Sequence, residues 1–496
     1  MNNSKALLHN RGICVVIPTY NNSGTIVDVV QRTLAQCDDV IVVCDGSTDA
    51  TRQLLENMKD ITLIAYEKNA GKGKALKLGF QKAREMGFAF AITLDADGQH
   101  FPEDIPCFLR ANQRHPEAVI VGERKFPEDC ERSSGSIFAN AFSNFWFAVQ
   151  TGRHLSDTQT GYRLYPLKRL SALSFLTSRY EAELELLVFA SWAGVPLVSE
   201  PINVYYPPQH ERVSHFRPKM DFARISVLNT ILCLLAVVYG YPRCLIRFVL
   251  KALRTAYSLS FFLLAMAVVT PFIAIYMCVG KKTDRKRFNL HRIIQFMSRV
   301  VLKVHGIPGV RYSESNPQCE TFQRPAVIIS NHQAHLDLMP LLMQTPKIVV
   351  LTNKWVWNNP FYGYLIRCAE FMPVYQGIDK VMPHLRQLVE KGYSIAVYPE
   401  GTRSVDCSIG RFHQGAFNIA QSLGLDIIPI ILYGAGKVLP KKGHSLNKGE
   451  IRIEIDPRIT PQQLQTLGST TREQASNMRQ YYKRRYEEVE EEIIKR

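Results

Sequence analysis

The chain has 496 residues, 46% of them hydrophobic, and a formal charge of +16 at neutral pH. That length exceeds one ordinary core and that composition excludes a disordered chain, so two domains and a connector are expected. The positive balance fits an anionic membrane surface or phosphate-bearing substrates. With no zinc-finger spacing, no aromatic RNA-binding signature and no basic low-complexity tail, nucleic acid is not an expected partner. Eleven scattered cysteines without a C-x-x-C pair fit reduced thiols in a cytosol-facing protein. Residues 1–11 are polar and the apolar run 13–17 is too short for a signal peptide.

Short apolar runs at 13–17, 40–43, 61–65 and 88–94 alternate with helical periodicity at 25–35, 51–58 and 73–86. This rhythm predicts an α/β domain with a mostly parallel sheet, in which ligands gather at the carboxyl ends of the strands. Thr19, Asp45 and Asp95 each stand just past such an end, so one crevice is expected to collect them. Asp95 and Asp97 bracket one small residue. Two carboxylates so spaced can reach one hard divalent cation, which bridges nucleotide phosphates and takes up charge on a departing diphosphate. A surface turn can carry the same triplet, so its surroundings decide.

Between 225 and 280 the composition changes. Residues 258–280 are uncharged and long enough to span a bilayer, and 225–241 form a shorter uncharged run ending at Pro242. Arg243, Arg247, Lys251 and Arg254, three or four apart, would line one helix face on an anionic membrane. Basic flanks on both sides of both runs place all flanks on the cytoplasmic side. A re-entrant or shallow hairpin is therefore expected, with Pro271 allowing a bend. A two-helix hairpin and a buried core helix are the alternatives.

A second α/β pattern follows, with strands expected at 326–329, 348–351 and 394–398 and a broken run at 425–433. From Thr470 a charged helix with a solvated face is expected. His332 and Asp337 stand just after the first of these strands. Acyl transfer from a thioester to an alcohol needs a base near neutral pKa, and a carboxylate can fix its tautomer. The domain boundaries expected are 1–224, 225–285 and 286–496.

Val16-Ile-Pro18-Thr-Tyr20-Asn21, Asp45-Gly-Ser-Thr-Asp49, Asn69-Ala-Gly71-Lys72-Gly73 and Asp95-Ala-Asp97-Gly-Gln99 occur in this order. The set resembles family 2 glycosyltransferases of the GT-A fold. Asp157-Thr-Gln-Thr-Gly161-Tyr-Arg163 and Arg179-Tyr-Glu181-Ala-Glu183 extend it to the dolichol-phosphate mannosyltransferase-like branch, over about residues 10–222. The resemblance implies that Pro18, Tyr20, Asp45, Lys72, Asp95 and Arg124 bind a nucleotide-sugar, with Asp45 at the nucleoside. It implies Mg²⁺ or Mn²⁺ on Asp95, Asp97 and Gln99, and phosphate contacts from Arg124, Arg212 and Arg217. Arg212 and Arg217 could equally form a membrane-surface patch. Asp157, then Glu183, is the candidate base for an alcohol acceptor, although pairing with Arg163 or Arg179 would serve each carboxylate as well. Cys44 replaces an acid common in relatives, and the Q-x-x-R-W signature of processive synthases is absent, so a single inverting transfer is expected.

Asn331-His332-Gln-Ala-His335-Leu-Asp337, Tyr398-Pro-Glu400-Gly401-Thr402-Arg403-Ser404, Phe412-His-Gln-Gly415-Ala416 and Ile428-Pro-Ile430 resemble the 1-acylglycerol-3-phosphate acyltransferase superfamily over about 290–460. The resemblance implies His332 as general base, Asp337 as its partner, and Glu400, Gly401, Thr402 and Arg403 at the acyl acceptor. His335 would be a pocket wall and His413 structural. Ala334 replaces a small hydroxyl residue, and Tyr375-Gln376 stand where relatives carry an Arg. That departure points to a hydroxyl on a less phosphorylated lipid or on a sugar.

The expected protein is two α/β domains, a GT-A nucleotide-sugar domain and a glycerolipid acyltransferase domain, joined by a hydrophobic membrane-associated segment. Its expected partners are a nucleotide-sugar, a lipid acceptor, acyl-CoA or acyl carrier protein, and the cytoplasmic face of the cell inner membrane. It would be a bifunctional glycolipid-assembly enzyme. The alternatives are a polyprenyl-phosphate glycosyltransferase fused to an independent lysophospholipid acyltransferase, and a non-catalytic lipid-binding scaffold.

Overall fold

The computed structural model describes residues 2–126, 134–172, 177–205, 218–281, 283–304, 307–360 and 362–495. The chain folds as two compact units, Met1–Arg247 and Phe248–Ile494.

In the first unit, β1 (Ile13–Thr19), β2 (Val40–Asp45), β3 (Thr62–Tyr66), β4 (Phe90–Thr93), β5 (Val119–Lys125), β6 (Arg163–Pro166) and β7 (Leu197–Asn203) form one sheet in the order β3-β2-β1-β4-β6-β5-β7. All its pairings are parallel except the two made by β6. β1, β2 and β4 are buried along their whole length, which explains their unbroken apolar runs. The carboxyl ends of β2, β1 and β4 therefore lie side by side. Antiparallel β6 starts at this same edge, so residues 157–161 arrive beside Asp95.

The second unit has β8 (Val310–Ser315), β9 (Ala326–Ser330), β10 (Ile348–Thr352), β11 (Met372–Pro373), β12 (Ser394–Val397), β13 (Asp426–Tyr433) and β14 (Gly449–Ile455) in the order β11-β10-β12-β9-β13-β14-β8. Only the β13–β14 pairing is antiparallel. β12 lies parallel to β9, so the segments that leave them, 331–337 and 398–403, emerge at one edge.

The charged C-terminal helix differs from expectation. Thr471–Lys495 buries Ala475, Met478, Tyr482 and Val489 at helical spacing in the core. The Tyr482 hydroxyl donates to the Ile329 carbonyl and accepts from the Ile430 amide, tying β9 and β13 together. Most of its charges occupy the outer face, with Glu490 buried beside Lys437, and the apolar stripe beneath them does the packing.

The apolar connector also departs from a two-segment hairpin. Residues Phe222–Cys278 form one helical run, long and apolar enough to cross a membrane. A π-helical stretch, Ala236–Gly240, stands just before Pro242, and the helix continues through Pro271. A proline clashes with the carbonyl four residues back, and a widened turn absorbs that clash. Each end of the run is built into a core. Leu228, Leu232 and Ala236 join that of the first unit, and Ile273 and Met277 that of the second. A Cβ on Gly240 would lie 2.5 Å from the Trp192 ring, so glycine is what permits this close packing. The basic stripe is partly spent inside the protein. Arg247 donates to the Ser191 carbonyl and Arg254 to that of Leu446.

Candidate active sites

At the first sheet edge, Asp45 is buried and bound up with its own loop. Its oxygens accept from the amides of Ala70 (2.6 Å) and Gly71 (2.8 Å) and from the Asn69 side chain (3.2 Å). Gly46 lets the loops meet, since a Cβ there would lie 2.4 Å from the Asn69 amide nitrogen. Asp45 therefore shapes the 69–71 turn. Pro18 is likewise buried inside β1, opposite Val43, while Tyr20 beyond the strand is half-buried.

Lys72, at the start of the helix Lys72–Glu85, reaches under the edge. Its ammonium lies 2.6 Å from Asp95 and 2.9 Å from Glu183. Burial works to lower its pKa, but the two carboxylates outweigh burial and hold it above the usual lysine value. Lys72 also overcomes burial to keep Asp95 below its ordinary value, whereas burial and then repulsion from Asp95 push Asp97 up. A Cβ on Gly161 would sit 2.4 Å from an Asp95 oxygen and 2.7 Å from the Lys72 nitrogen. Glycine at 161 is thus what makes room for the Lys72–Asp95 pair.

Asp97 accepts from the Gln99 amide at 3.0 Å. His100 follows, 5% exposed, with both ring nitrogens lacking a hydrogen-bond partner among the described residues. Among the described residues, no three His, Cys, Asp or Glu side chains converge as a ready-made cation site. Asp95, Asp97 and Gln99 are the residues that would hold a divalent cation here. The donor set, carboxylates and a carboxamide oxygen, suits a hard cation.

Asp157 is 4% exposed and forms a two-pronged ion pair with Arg124, at 2.6 and 2.9 Å. One of its oxygens also accepts from the Gln159 amide. The carboxylate expected to pair with Arg163 or Arg179 pairs with Arg124 instead, so the candidate base and the candidate phosphate ligand meet in one ion pair. Glu183 pairs with Lys72, and Arg163 turns to the carbonyls of Glu183 and Thr158. Arg212 and Arg217 lie outside the described residues.

At the second edge, the His332 Nδ1 lies 2.8 Å from an Asp337 oxygen. The 3-10 turn His335–Asp337 folds Asp337 back so that the same oxygen accepts from the Gln333 and Ala334 amides. Asp337 is completely buried. With Nδ1–H donated to it, Nε2 has no hydrogen-bond partner among the described residues, as a general base requires. The imidazole stacks on Tyr398, with ring centroids 4.3 Å apart and planes 20° apart. Glu400, expected at the acyl acceptor, braces the backbone of the site. Its two oxygens accept from the amides of His332 (2.7 Å) and Gly410 (2.6 Å), so it fastens the base's backbone to the 410 loop. Burial raises its pKa, and those two amides oppose the rise.

Gly401, Thr402 and Arg403 share a cavity of about 890 Å³ with His332. Its apolar wall includes Leu259, Phe262 and Met266 of the long helix, while Arg403 and Lys441 stand at its polar end. The Lys441 ammonium donates to the Arg403 carbonyl (2.6 Å) and lies 3.3 Å from the Thr402 hydroxyl. His335 and His413 also line the cavity. Tyr375 is 46% exposed and outside that lining. Lys441, which no motif marked, puts a cation in that lining. Of the other residues missed, His100 and Tyr398 adjoin quoted motifs, and Gly161 lies within one.

Comparison with known proteins agrees with these two edges. The glycosyl transferase family 2 model matches residues 14–166, and the acyltransferase model matches 303–433. The chloroplastic 1-acyl-sn-glycerol-3-phosphate acyltransferase LPAT1 of Arabidopsis thaliana is 28% identical over 41% of this chain and 56% of its own length. The chain thus spans little more than half of that relative. A UDP-N-acetylglucosamine–dolichyl-phosphate N-acetylglucosaminyltransferase of Methanococcus voltae is 29% identical over 39% of this chain and 86% of its own length. The crystal structure of the 1-acyl-sn-glycerophosphate acyltransferase of Thermotoga maritima, 17% identical, aligns with 49% of this chain and 98% of its own, with a TM-score of 0.43. The chain thus carries a segment that matches the glycosyl transferase family 2 model and, after it, a segment that matches the acyltransferase model, each ending on a strand of its own α/β sheet.

Proposed function

We propose that this is a bifunctional enzyme of glycolipid assembly, which transfers one sugar from a nucleotide-sugar to a lipid and an acyl chain to a hydroxyl of a lipid or glycolipid. The observation that carries the reading is the cavity that runs from His332 along the apolar helix. It offers an acyl chain an apolar bed whose polar end holds the base. His332 Nε2 takes the acceptor hydroxyl proton as that oxygen attacks the thioester carbonyl of acyl-CoA or acyl carrier protein. The tetrahedral adduct then expels the thiolate, which recovers the proton from His332.

In the first domain Asp95, Asp97 and Gln99 would hold Mg²⁺ or Mn²⁺, which supplies charge neutralisation at the leaving diphosphate. Displacement at the sugar's C1 by the acceptor oxygen inverts its configuration. The Asp157–Arg124 pair leaves no free carboxylate at the expected base position. That favours an acceptor already anionic, a lipid phosphate, which needs no base. The dolichyl-phosphate acceptor named for the Methanococcus relative has the same chemistry.

The long helix supports attachment to the cytoplasmic face of the inner membrane. Both its ends are packed into cores, and its other face exposes residues such as Val238 and Phe248, 74% and 69% accessible. Such a helix suits the plane of the interface better than the bilayer normal.

The test is to give the purified full chain a panel of radiolabelled nucleotide-sugars, acyl-CoA and vesicles holding candidate acceptors, with products read by mass spectrometry. A lipid that gains both a sugar and an acyl chain supports successive steps. Two unrelated products would instead support the second reading, a polyprenyl-phosphate glycosyltransferase fused to an independent acyltransferase. In the same assay Lys441→Met should raise KM for a phosphorylated acyl acceptor about tenfold, the worth of one charge-assisted hydrogen bond. Slow hydrolysis of acyl-CoA should be unchanged. Equal KM values for variant and wild type would return the acceptor to an uncharged lipid.

A further inference from the structure

Trp355 is 57% exposed, yet it lines the same cavity as His332. Its place follows from the sheet. β10 lies parallel to β12, and β12 to β9, so their carboxyl ends stand side by side. β9 leads to His332 and β12 into the 398–403 segment, while β10 leads into the single helical turn Lys354–Trp357. That turn is firmly fixed. The Asn353 side chain accepts from the Val356 amide at 2.9 Å, and Arg367 donates to the Trp357 carbonyl at 2.7 Å. A Cβ on Gly363 would lie 2.8 Å from the same carbonyl, so the next helix, Gly363–Cys368, closes against the turn. The exposed indole is thus carried on a braced backbone.

Two rings position it. The His335 ring lies 5.2 Å away, tilted by 33°, and the Tyr362 ring lies 6.5 Å away at 73°. His335 in turn feels the charges of Arg403 and His332, so the indole stands one ring from the base at the polar end of the cavity. Single exposed aromatic residues are common on protein surfaces. This one differs because Thr402, Arg403 and Lys441 bring hydroxyl, guanidinium and ammonium donors to the same lining. The acyl chain has its own bed along Leu259, Phe262 and Met266 and does not call for an exposed indole.

An aromatic face rimmed by donors suits a pyranose. The ring's C–H hydrogens carry partial positive charge and meet the negative face of the indole, while its hydroxyls accept from the donors around it. Glycerol has no such face. The adenine of coenzyme A also stacks on indole, but the pantetheine arm holds it far from the thioester, whereas Trp355 stands close to the base. We propose that Trp355 is the platform of a sugar subsite in the acyltransferase domain, on which a pyranose of the acyl acceptor stacks so that one of its hydroxyls meets His332 Nε2. That hydroxyl oxygen attacks the thioester carbonyl, and its proton passes to His332 and then to the departing thiolate. This rests on the reading of the acceptor as a lipid or glycolipid hydroxyl, and it selects the glycolipid.

The test gives the full chain palmitoyl-CoA and, in phosphatidylcholine vesicles, acceptors of equal chain length: dodecyl glycosides of glucose and N-acetylglucosamine, and 1-dodecylglycerol. Trp355→Ala should raise KM for a glycoside about tenfold relative to KM for dodecylglycerol, the scale of one aromatic contact. Trp355→Phe should recover most of that selectivity. The change should fall on KM, because stacking holds the bound sugar and the transition state alike. A glycoside, but not dodecylglycerol, should also shield tryptophan fluorescence from acrylamide, a shielding that Trp355→Phe removes. An equal rise in KM for all acceptors would overturn the proposal and make Trp355 an anchor at the lipid interface. A rise confined to palmitoyl-CoA would overturn it in favour of adenine. A wild type that acylates dodecylglycerol, but neither acylates a glycoside nor is shielded by one, would remove the sugar subsite and leave acyl transfer standing. If no acceptor is acylated, the acyl-transfer reading fails, and shielding alone still decides the subsite.

Discussion

His332→Ala is expected to lower acyl transfer by about a thousandfold, within the usual range for loss of a positioned general base, while sugar transfer continues at the wild-type rate. The geometry explains why the effect should be so large. Nδ1 is committed to the buried Asp337, Tyr398 stacks on the ring, and Glu400 pins the backbone. Nε2 therefore meets the cavity in one orientation. His335 also lines the cavity, but burial, Arg403 and His332 hold its pKa below the ordinary value, and its ring lies tilted against Trp355. The measurement is radiolabelled acyl incorporation and nucleotide-sugar turnover on the same preparation. Acyl incorporation that survives at wild-type rate would refute the assignment of the base.

Asp97→Ala should have the opposite selectivity, cutting nucleotide-sugar turnover by about a hundredfold to a thousandfold through lost stabilisation of the departing diphosphate. Asp97 is a cleaner target than Asp95. Asp95 is already paired with Lys72, so its removal would also disturb the buried Lys72–Glu183 contact. Asp97 has no ion-pair partner among the described residues, and its Gln99 amide contact is to the backbone. Chelation of divalent metal in the wild type should reproduce the loss, and acyl transfer should be untouched by either treatment. Turnover that withstands both chelation and Asp97→Ala would remove the cation from the mechanism.

Much of the fold was legible because its signals are local. β1, β2 and β4 are buried along their length, so their sequences are continuous apolar runs ending in polar residues at the site edge. Asp337 was legible beside His332 because a single 3-10 turn joins them. Elements whose partners are far away in sequence were harder to read. The C-terminal helix looks solvated because its charges outnumber its apolar stripe, yet Tyr482 reaches across 153 residues to Ile329. Lys441 reaches the Arg403 carbonyl across 38 residues, without a motif. Trp355 gave no signal either, since its distinguishing property is an exposed ring beside His335 in the folded cavity.

By itself the sequence determined that there are two α/β units, in which order, and which residues stand at the carboxyl ends of their strands. Those properties follow from short-range periodicity and from residues that leave a strand directly. The tertiary structure decided what the residues at those ends do. It bound Asp157 to Arg124, gave Asp45 to a loop and Glu400 to a backbone amide, and set the apolar helix along the acyl cavity. The physical reason is that a buried charge must find a partner, and only the folded chain determines which partner is within reach.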